Sequence, residues 1–355
     1  MIPYILLFAI PPIVAYVFCS ASSKRDKMPK VAIAVFFAIF IFLLCVRDKS
    51  IGIDNRNYEW IYNRVSSVGW EHVPNSFELE KGYLYLNKIV SDWFGSYQAL
   101  MAVAAVLATI PLVIFYVKEN KSVVLTIALF LVATPFTCYF SSLRQVIAIG
   151  IAVPLYYLAR KKKLIWFILL VILAMQFHVS AFVMFALYPV VNTRFTEKGL
   201  FFSIPLIVAV YVFNEPIFNF LKEFVKDEYT YDTEQTGAFM MIILFALFVI
   251  FAFVAIDEKS LTKEEIGLRN ILVICLIFQL FAPVNMVVMR MNYYYMIFVP
   301  IALSKLMQKP RKGFEQVVKL ASVVMTIFFL GYFVYEGFNG EDMLHTYPYK
   351  FCWES

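Results

Sequence analysis

The chain has 355 residues, 62% of them hydrophobic and 16% charged, with a mean hydropathy of +0.75. A soluble domain is nearer half apolar and a quarter charged, so this composition excludes an ordinary globular protein and points to a polytopic membrane protein. The net charge of +6 is spread over short loops, which excludes a nucleic-acid patch. The five cysteines (Cys19, Cys45, Cys138, Cys275 and Cys352) show no CxxC or ligand spacing, which argues against a disulfide framework or a zinc site.

A membrane helix needs about 20 apolar residues, within a range of roughly 17–25. On that basis the chain predicts spans near 2–19, 31–46, 97–117, 122–142, 145–159, 164–176, 178–191, 199–213, 238–256, 270–286, 291–307 and 317–335. The first span has no basic segment ahead of it and is followed by Lys24-Arg25-Asp26-Lys27. That is the arrangement of a retained helix with its C-terminal end in the cytoplasm, not of a signal peptide. Two connecting segments are long. The first, 47–96, carries Trp60, Trp70 and Trp93 and is expected to hold amphipathic or re-entrant pieces. The second, 214–236, carries six carboxylates and is expected to be a solvated acidic face. With no linker and no internal repeat, residues 1–355 are expected to form a single membrane-embedded domain.

Basic residues fix the orientation, because Lys and Arg concentrate in cytoplasmic loops. With the N-terminus outside, the segments 20–30, 118–121, 160–163, 192–198, 257–269 and 305–319 are cytoplasmic and hold 20 of the 31 Lys and Arg. The acidic residues run the other way, with 17 of 25 outside. The stretch 164–191 is therefore read as a hairpin, since one long helix would put Lys305, Lys309, Arg311 and Lys312 outside. Segments 47–96 and 214–236 and the tail 337–355 are then extracytoplasmic.

Four ionisable residues among apolar stretches, Arg47, Arg144, His178 and Arg290, fall on that same outer side. Such residues default to a functional site because charge near membrane depth is costly. Arg47 leads into Gly52-Ile53-Asp54, followed by Tyr58; the plain alternative is an arginine snorkelling at the interface and an aspartate capping a helix. Glu80-Lys81-Gly82-Tyr83 suits orientation of a sugar hydroxyl, or equally an acid offsetting the dipole of a helix start. Ser141-Ser142-Leu143-Arg144-Gln145 places a guanidinium near a helix N-terminus, a setting for bidentate phosphate binding. A topogenic arginine is the alternative there. Gln176-Phe177-His178-Val179-Ser180 offers a general base or a hydrogen-bonded structural histidine. Arg290-Met291-Asn292-Tyr293-Tyr294-Tyr295 suits a diphosphate with sugar rings stacked beside it, or an interfacial aromatic belt. No DxD-type motif and no divalent-metal cluster stands in the outer loops, so no metal and no other cofactor is expected.

This ordered set resembles the EpsG family of Wzy-like polymerases of bacterial surface polysaccharides. It is carried by Arg47 with Gly52-Ile53-Asp54 and Tyr58, Glu80-x-Gly82-Tyr83, Arg144-Gln145, Phe177-His178-x-Ser180 and the segment from Arg290 to Tyr294, over roughly residues 30–300, without the tail after about Tyr335. The resemblance implies an all-α, GT-C-like or Wzy-like polytopic fold of about 12 transmembrane helices, with a long extracytoplasmic loop between helices 2 and 3. It also implies a glycosyltransferase of the bacterial cytoplasmic (inner) membrane, acting at the extracytoplasmic face. Donor and acceptor would be undecaprenyl-diphosphate-linked oligosaccharide in O-antigen, capsule or exopolysaccharide synthesis. The lipid bilayer is its setting and a chain-length regulator a partner class. The expected roles are diphosphate binding by Arg47, Arg144 and Arg290, led by the last two. His178, then Asp54 or Glu80, would be the base, and Tyr83 and Tyr294 would contact sugar. A ligase or a flippase for lipid-linked oligosaccharide shares much of this pattern. The one-sided polar clustering and lack of repeated halves weigh against a transporter.

Overall fold

The computed structural model describes residues 2–21, 27–222, 238–340 and 345–354, and every regular element among them is helical. The elements are α1 (Ile2–Ala21), α2 (Met28–Val46), α3 (Asn55–Ser66), α4 (Lys81–Phe94), α5 (Tyr97–Glu119), α6 (Val123–Ala133), α7 (Cys138–Ser141), α8 (Leu143–Ala152), α9 (Leu155–Arg160), α10 (Leu164–Met175), α11 (Leu187–Asn192), α12 (Glu197–Val212), α13 (Asn214–Lys222), α14 (Ala238–Val254), α15 (Lys263–Gln279), α16 (Met286–Met296), α17 (Val299–Leu306) and α18 (Glu315–Asn339). Lys24, Arg25 and Asp26 of the first basic cluster lie outside the described residues, as do five of the six carboxylates of 214–236; Glu215 is the sixth.

Helices α2, α5, α18 and the α8–α9 pair are long and apolar enough to cross a membrane. The α12–α13 pair, bent by 72°, makes a fifth if counted as one span. Five more apolar helices of 10–17 residues lie at 2–18, 123–133, 164–175, 179–192 and 239–254. The chain is thus an all-helical protein with several membrane-capable helices. Several ends differ from the expected spans. The predicted span 122–142 stops at Ala133, because Thr134 precedes Pro135 and turns extended (φ −121°, ψ 170°). A residue before proline disfavours the helical region. The predicted span 291–307 is two helices, α16 and α17. At 164–191 the helix ends at Met175, and 3-10 turns from Val179 to Ala186 lead into α11, with His178 at the break.

The described chain packs as two compact units, residues up to Phe185 with those from Met325 on, and Ala186–Val324. In the first, the long segment after α2 is no open loop. Helices α3 and α4 are amphipathic and bury Tyr58, Ile61, Tyr62, Val65, Tyr83, Leu84 and Val90 against Leu100, Met101 and Ala104 of α5 and Leu143 and Ile147 of α8. That apolar face fixes both helices over the ends of the spans beneath them. In the second unit, α15 packs against α11, α14, α16 and α17. Its start is set by a reciprocal cap in which Thr262 and Glu265 bond each other's backbone N–H.

Segments that the charge tally assigns to one side are neighbours within each unit. In the first, Tyr157 Oη donates to Glu119 at 3.0 Å and Lys118 lies 4.3 Å from the Tyr157 ring centre, which joins the ends of α5 and α9. In the second, Arg311 pairs with Glu197, Lys309 with Glu265 at 2.8 Å, and the Asp257 N–H donates to the Lys309 carbonyl at 3.0 Å.

Candidate functional site

Four stretches remote in sequence meet at the opposite ends of α5 and α8 in the first unit. Asp54 stands at the N-cap of α3, and its carbonyl accepts the Tyr58 N–H at 3.1 Å. Its carboxylate caps nothing. Oδ2 instead accepts the hydroxyls of Ser141 and Ser142 at 3.1 and 3.2 Å, while the Asp54 N–H donates to Ser141 Oγ at 3.2 Å. The two serines, just ahead of α8, thereby lock the turn after α2 to the start of the Arg144 helix. Asp54 Oδ1 makes no hydrogen bond among the described residues, and the side chain is part exposed.

Glu80 occupies the N-cap of α4, and it too leaves that helix uncapped. Its Oε2 accepts from Arg144 Nη1 at 2.6 Å and its Oε1 from the Val179 N–H at 2.9 Å. Tyr58 lies close enough to feel the same guanidinium, whose charge works against the upward push of burial on its phenol. One carboxylate therefore joins the starts of α4 and α8 to the segment after α10. The pair is largely but not wholly shielded, with side-chain exposures of 21% for Arg144 and 12% for Glu80. Burial alone would raise the Glu80 pKa. The Arg144 guanidinium and the Val179 N–H overcome that and hold the carboxyl below its ordinary value. Burial pushes the Tyr58 and Tyr83 phenols up.

Two glycines make these crossings possible. Gly52 has φ +101°, and a Cβ there would lie 2.2 Å from the Phe140 carbonyl oxygen. A Cβ on Gly82 would lie 2.7 Å from the Gln176 carbonyl oxygen, which the neighbouring Tyr83 N–H approaches to 3.2 Å as a donor. The glycine of Glu80-x-Gly82-Tyr83 is thus a point of backbone contact between α4 and the His178 turn.

His178 is half-buried beside this group, with Nδ1 at 2.6 Å from Ser180 Oγ and accepting the Ser180 N–H at 3.3 Å. An Nδ1 that accepts from the backbone leaves the neutral ring's proton on Nε2. The histidine is set as a donor, a poorer fit to the expected base than Asp54.

Arg47 is elsewhere. It is fully buried, its Nη1 donates to the Leu44 carbonyl, and its Nε and Nη2 have no hydrogen-bond partner. The tail seals it. Asp48 N–H donates to the Lys350 carbonyl at 2.9 Å, Gly52 N–H to that of His345 at 3.0 Å, and Cys352 N–H to that of Val46 at 2.8 Å. Tyr4 and Tyr349 hydroxyls add bonds to the Thr346 and Leu43 carbonyls, each at 2.7 Å.

The two tyrosines expected to contact sugar, Tyr83 and Tyr294, are both fully buried and present no ring face to solvent. Tyr83 sits edge-on to Tyr58, with ring centres 5.7 Å apart. In the second unit, Arg290 is half-buried on α16 and Tyr294 lies one turn further on. Nearby, Asn292 Nδ2 ties that helix to the Cys275 carbonyl of α15 at 3.0 Å. Of the residues picked out from sequence, the structure brings together Asp54, Glu80, Arg144 and His178. Ser141, Ser142 and Ser180, quoted within the sequence motifs but given no role there, take part in this site. A short hydroxyl next to an isolated charge was the available signal.

Apolar helices carrying one polar cluster at their ends define an integral membrane protein with a candidate site for a polar or anionic group. A model of the EpsG family matches residues 30–351, so the chain belongs to that family of polysaccharide polymerase-like membrane proteins. The match takes in most of the tail, beyond the range over which the resemblance was drawn. No curated protein and no solved structure matches the chain.

Proposed function

We propose that this protein joins undecaprenyl-diphosphate-linked oligosaccharide units at the extracytoplasmic face of the cytoplasmic membrane, in a twelve-span topology with the polar cluster outward. The observation that carries the proposal is the tie between Glu80, Arg144 and the His178 turn, contacts made across 64 and 99 residues of sequence. In the reaction an acceptor hydroxyl attacks the anomeric carbon of the donor. The bond to the diphosphate oxygen breaks, and the electron pair leaves with the polyprenyl diphosphate.

Arg144 stabilises that developing charge, as preorganised donors do in a dry site. Glu80 is a positioning residue: its carboxylate is spent on Arg144 and Val179, and its lowered pKa makes it a weak base. Asp54, with Oδ1 open, accepts the proton of the acceptor hydroxyl. His178 donates to substrate oxygen. Arg290, in the second unit, is proposed from the sequence alone as a cation for an anionic group of the substrate. No metal is required in this scheme.

Reconstitution with a verified lipid-diphosphate-linked repeat unit, read as a ladder on a gel, tests it. Wild-type protein should elongate the unit, and absence of elongation overturns the proposal. Deletion in the host separates the neighbouring activity: single-unit glycan on the acceptor marks a polymerase, unattached chains a ligase.

A further inference from the structure

A polar cavity of about 520 Å³ lies within the second unit, where two helices break. The α12–α13 pair bends by 72° at Phe213, and α15 gives way to α16 through the turn Leu280–Asn285. Asn214 joins the two breaks: Nδ2 donates to the Leu280 carbonyl at 2.9 Å, and Oδ1 accepts the Glu215 N–H at 2.8 Å. Broken helices among apolar spans are tolerated where protein or a wet cavity satisfies the freed backbone groups. The volume falls within the roughly 300–1,000 Å³ of small-molecule sites.

The walls define the ligand. Asn214, Glu215, Asn219 and Asn285 supply amide and carboxylate groups, and Asn285 is 3% exposed. An amide offers two donors and two lone pairs, and a carboxylate accepts at both oxygens, a set matched to neighbouring hydroxyls. Tyr211, Phe218 and Phe239 add aromatic surface to the same cavity. Among the described residues that line it none is basic, and the Glu215 carboxylate disfavours a phosphate or diphosphate beside it. The side chains of Glu215 and Asn219 make no hydrogen bond among the described residues and are exposed, so they are available to a ligand at no cost to the fold.

We propose that this cavity binds an uncharged, hydroxylated saccharide ring, a glycan subsite separate from the Arg144 cluster. That the sugar belongs to the polymer rests on the polymerase reading; the class of ligand rests on the cavity. The test uses the purified full-length protein in nanodiscs. The probe is the repeat-unit oligosaccharide freed from its lipid carrier by mild acid, followed by saturation-transfer NMR and titration. Wild type should bind it, and inorganic diphosphate should not compete. Glu215→Gln and Asn219→Ala should each weaken binding about tenfold, as loss of one or two hydrogen bonds to a bound ligand does. No binding by wild type, competition by diphosphate, or unaltered binding in both variants overturns the proposal. Binding with these variant effects, in a protein that fails to elongate a verified donor, keeps the subsite and sinks the polymerase reading.

Discussion

Arg47 and Arg144 both stand where an apolar helix meets a polar segment, and sequence patterning treats them alike. Their surroundings differ in kind. Arg144 has a carboxylate at 2.6 Å and partial exposure. Arg47 has no acid partner among the described residues, two unpartnered nitrogens and a lid of tail backbone. A paired, part-open guanidinium is held in one orientation and still reaches solvent. A sealed one is a structural cation that the fold tolerates at a cost of several kcal/mol. Partner and access, not residue type, separate the two arginines.

The largest effect that sharpens this contrast is loss of Arg144. Arg144→Ala should lower elongation by about 10²–10³, the usual effect of removing a preorganised donor at a developing oxyanion. Membrane levels of the protein should hold. Arg144→Lys keeps the charge but not the planar fork that can hold Glu80 and an anion together, so it should recover only a small part of the activity. Normal ladders from either variant would remove Arg144 from the chemistry.

Next in size is removal of the tail. A stop after Gly340 deletes three backbone hydrogen bonds to the 46–52 segment and uncovers Arg47. Each such bond contributes about 0.5–1.5 kcal/mol, and the turn leading to Asp54 loses its outer support. Elongation should fall about tenfold, with faster proteolysis within 47–54 and normal membrane insertion. Unchanged proteolysis together with unchanged ladders would show that the tail supports nothing.

Much of the Arg144 region was legible in the sequence, and little of the Arg47 region was. Shared sidedness drew Asp54, Glu80, Arg144 and His178 to one face, because positive charge in loops reports orientation without any knowledge of packing. Gly52 and Gly82 stand inside the motifs quoted from the sequence, although only the structure names Phe140 and Gln176 as what they pass. The roles read less well. Asp54 and Glu80 both stand at helix starts, where a cap is the local expectation, and both turn away to partners more than sixty residues distant. The lid on Arg47 forms across some 300 residues, a contact that no local pattern encodes. Tyr83 and Tyr294 show the same limit, since a buried tyrosine and a sugar-stacking one share the same apolar periodicity. The stop at Thr134-Pro135 is encoded locally, but the apolar run that continues past it masks the signal.

A pH titration of stability gives a smaller effect and isolates the Glu80 pair. The folded pKa of Glu80 is depressed, so its contribution is fully present above the unfolded carboxyl value of about 4.3 and is lost as pH falls through the lower folded value. Wild-type thermal stability should therefore be flat from about pH 7 to 5 and drop below about 4, with Glu80→Gln lower throughout the plateau and lacking that component of the drop. Parallel profiles for the two proteins would mean that the pair adds nothing to the fold.

The smallest expected change is at Arg47, and its direction is the opposite of the change at Arg144. Arg47→Met keeps the length and bulk of the side chain and deletes a cation that has no counter-charge. Replacing buried charge by a well-packed apolar group is often neutral or stabilising. The hydrogen bond to the Leu44 carbonyl is lost, at about 1 kcal/mol, which offsets part of that gain. The melting temperature should stay within a few degrees of wild type or rise, and the ladder should keep its normal length distribution. If Arg47→Met instead abolishes elongation in a protein that melts normally, the tail must open during turnover and Arg47 must reach the diphosphate. The distinction between the two arginines would then be one of timing and not of place.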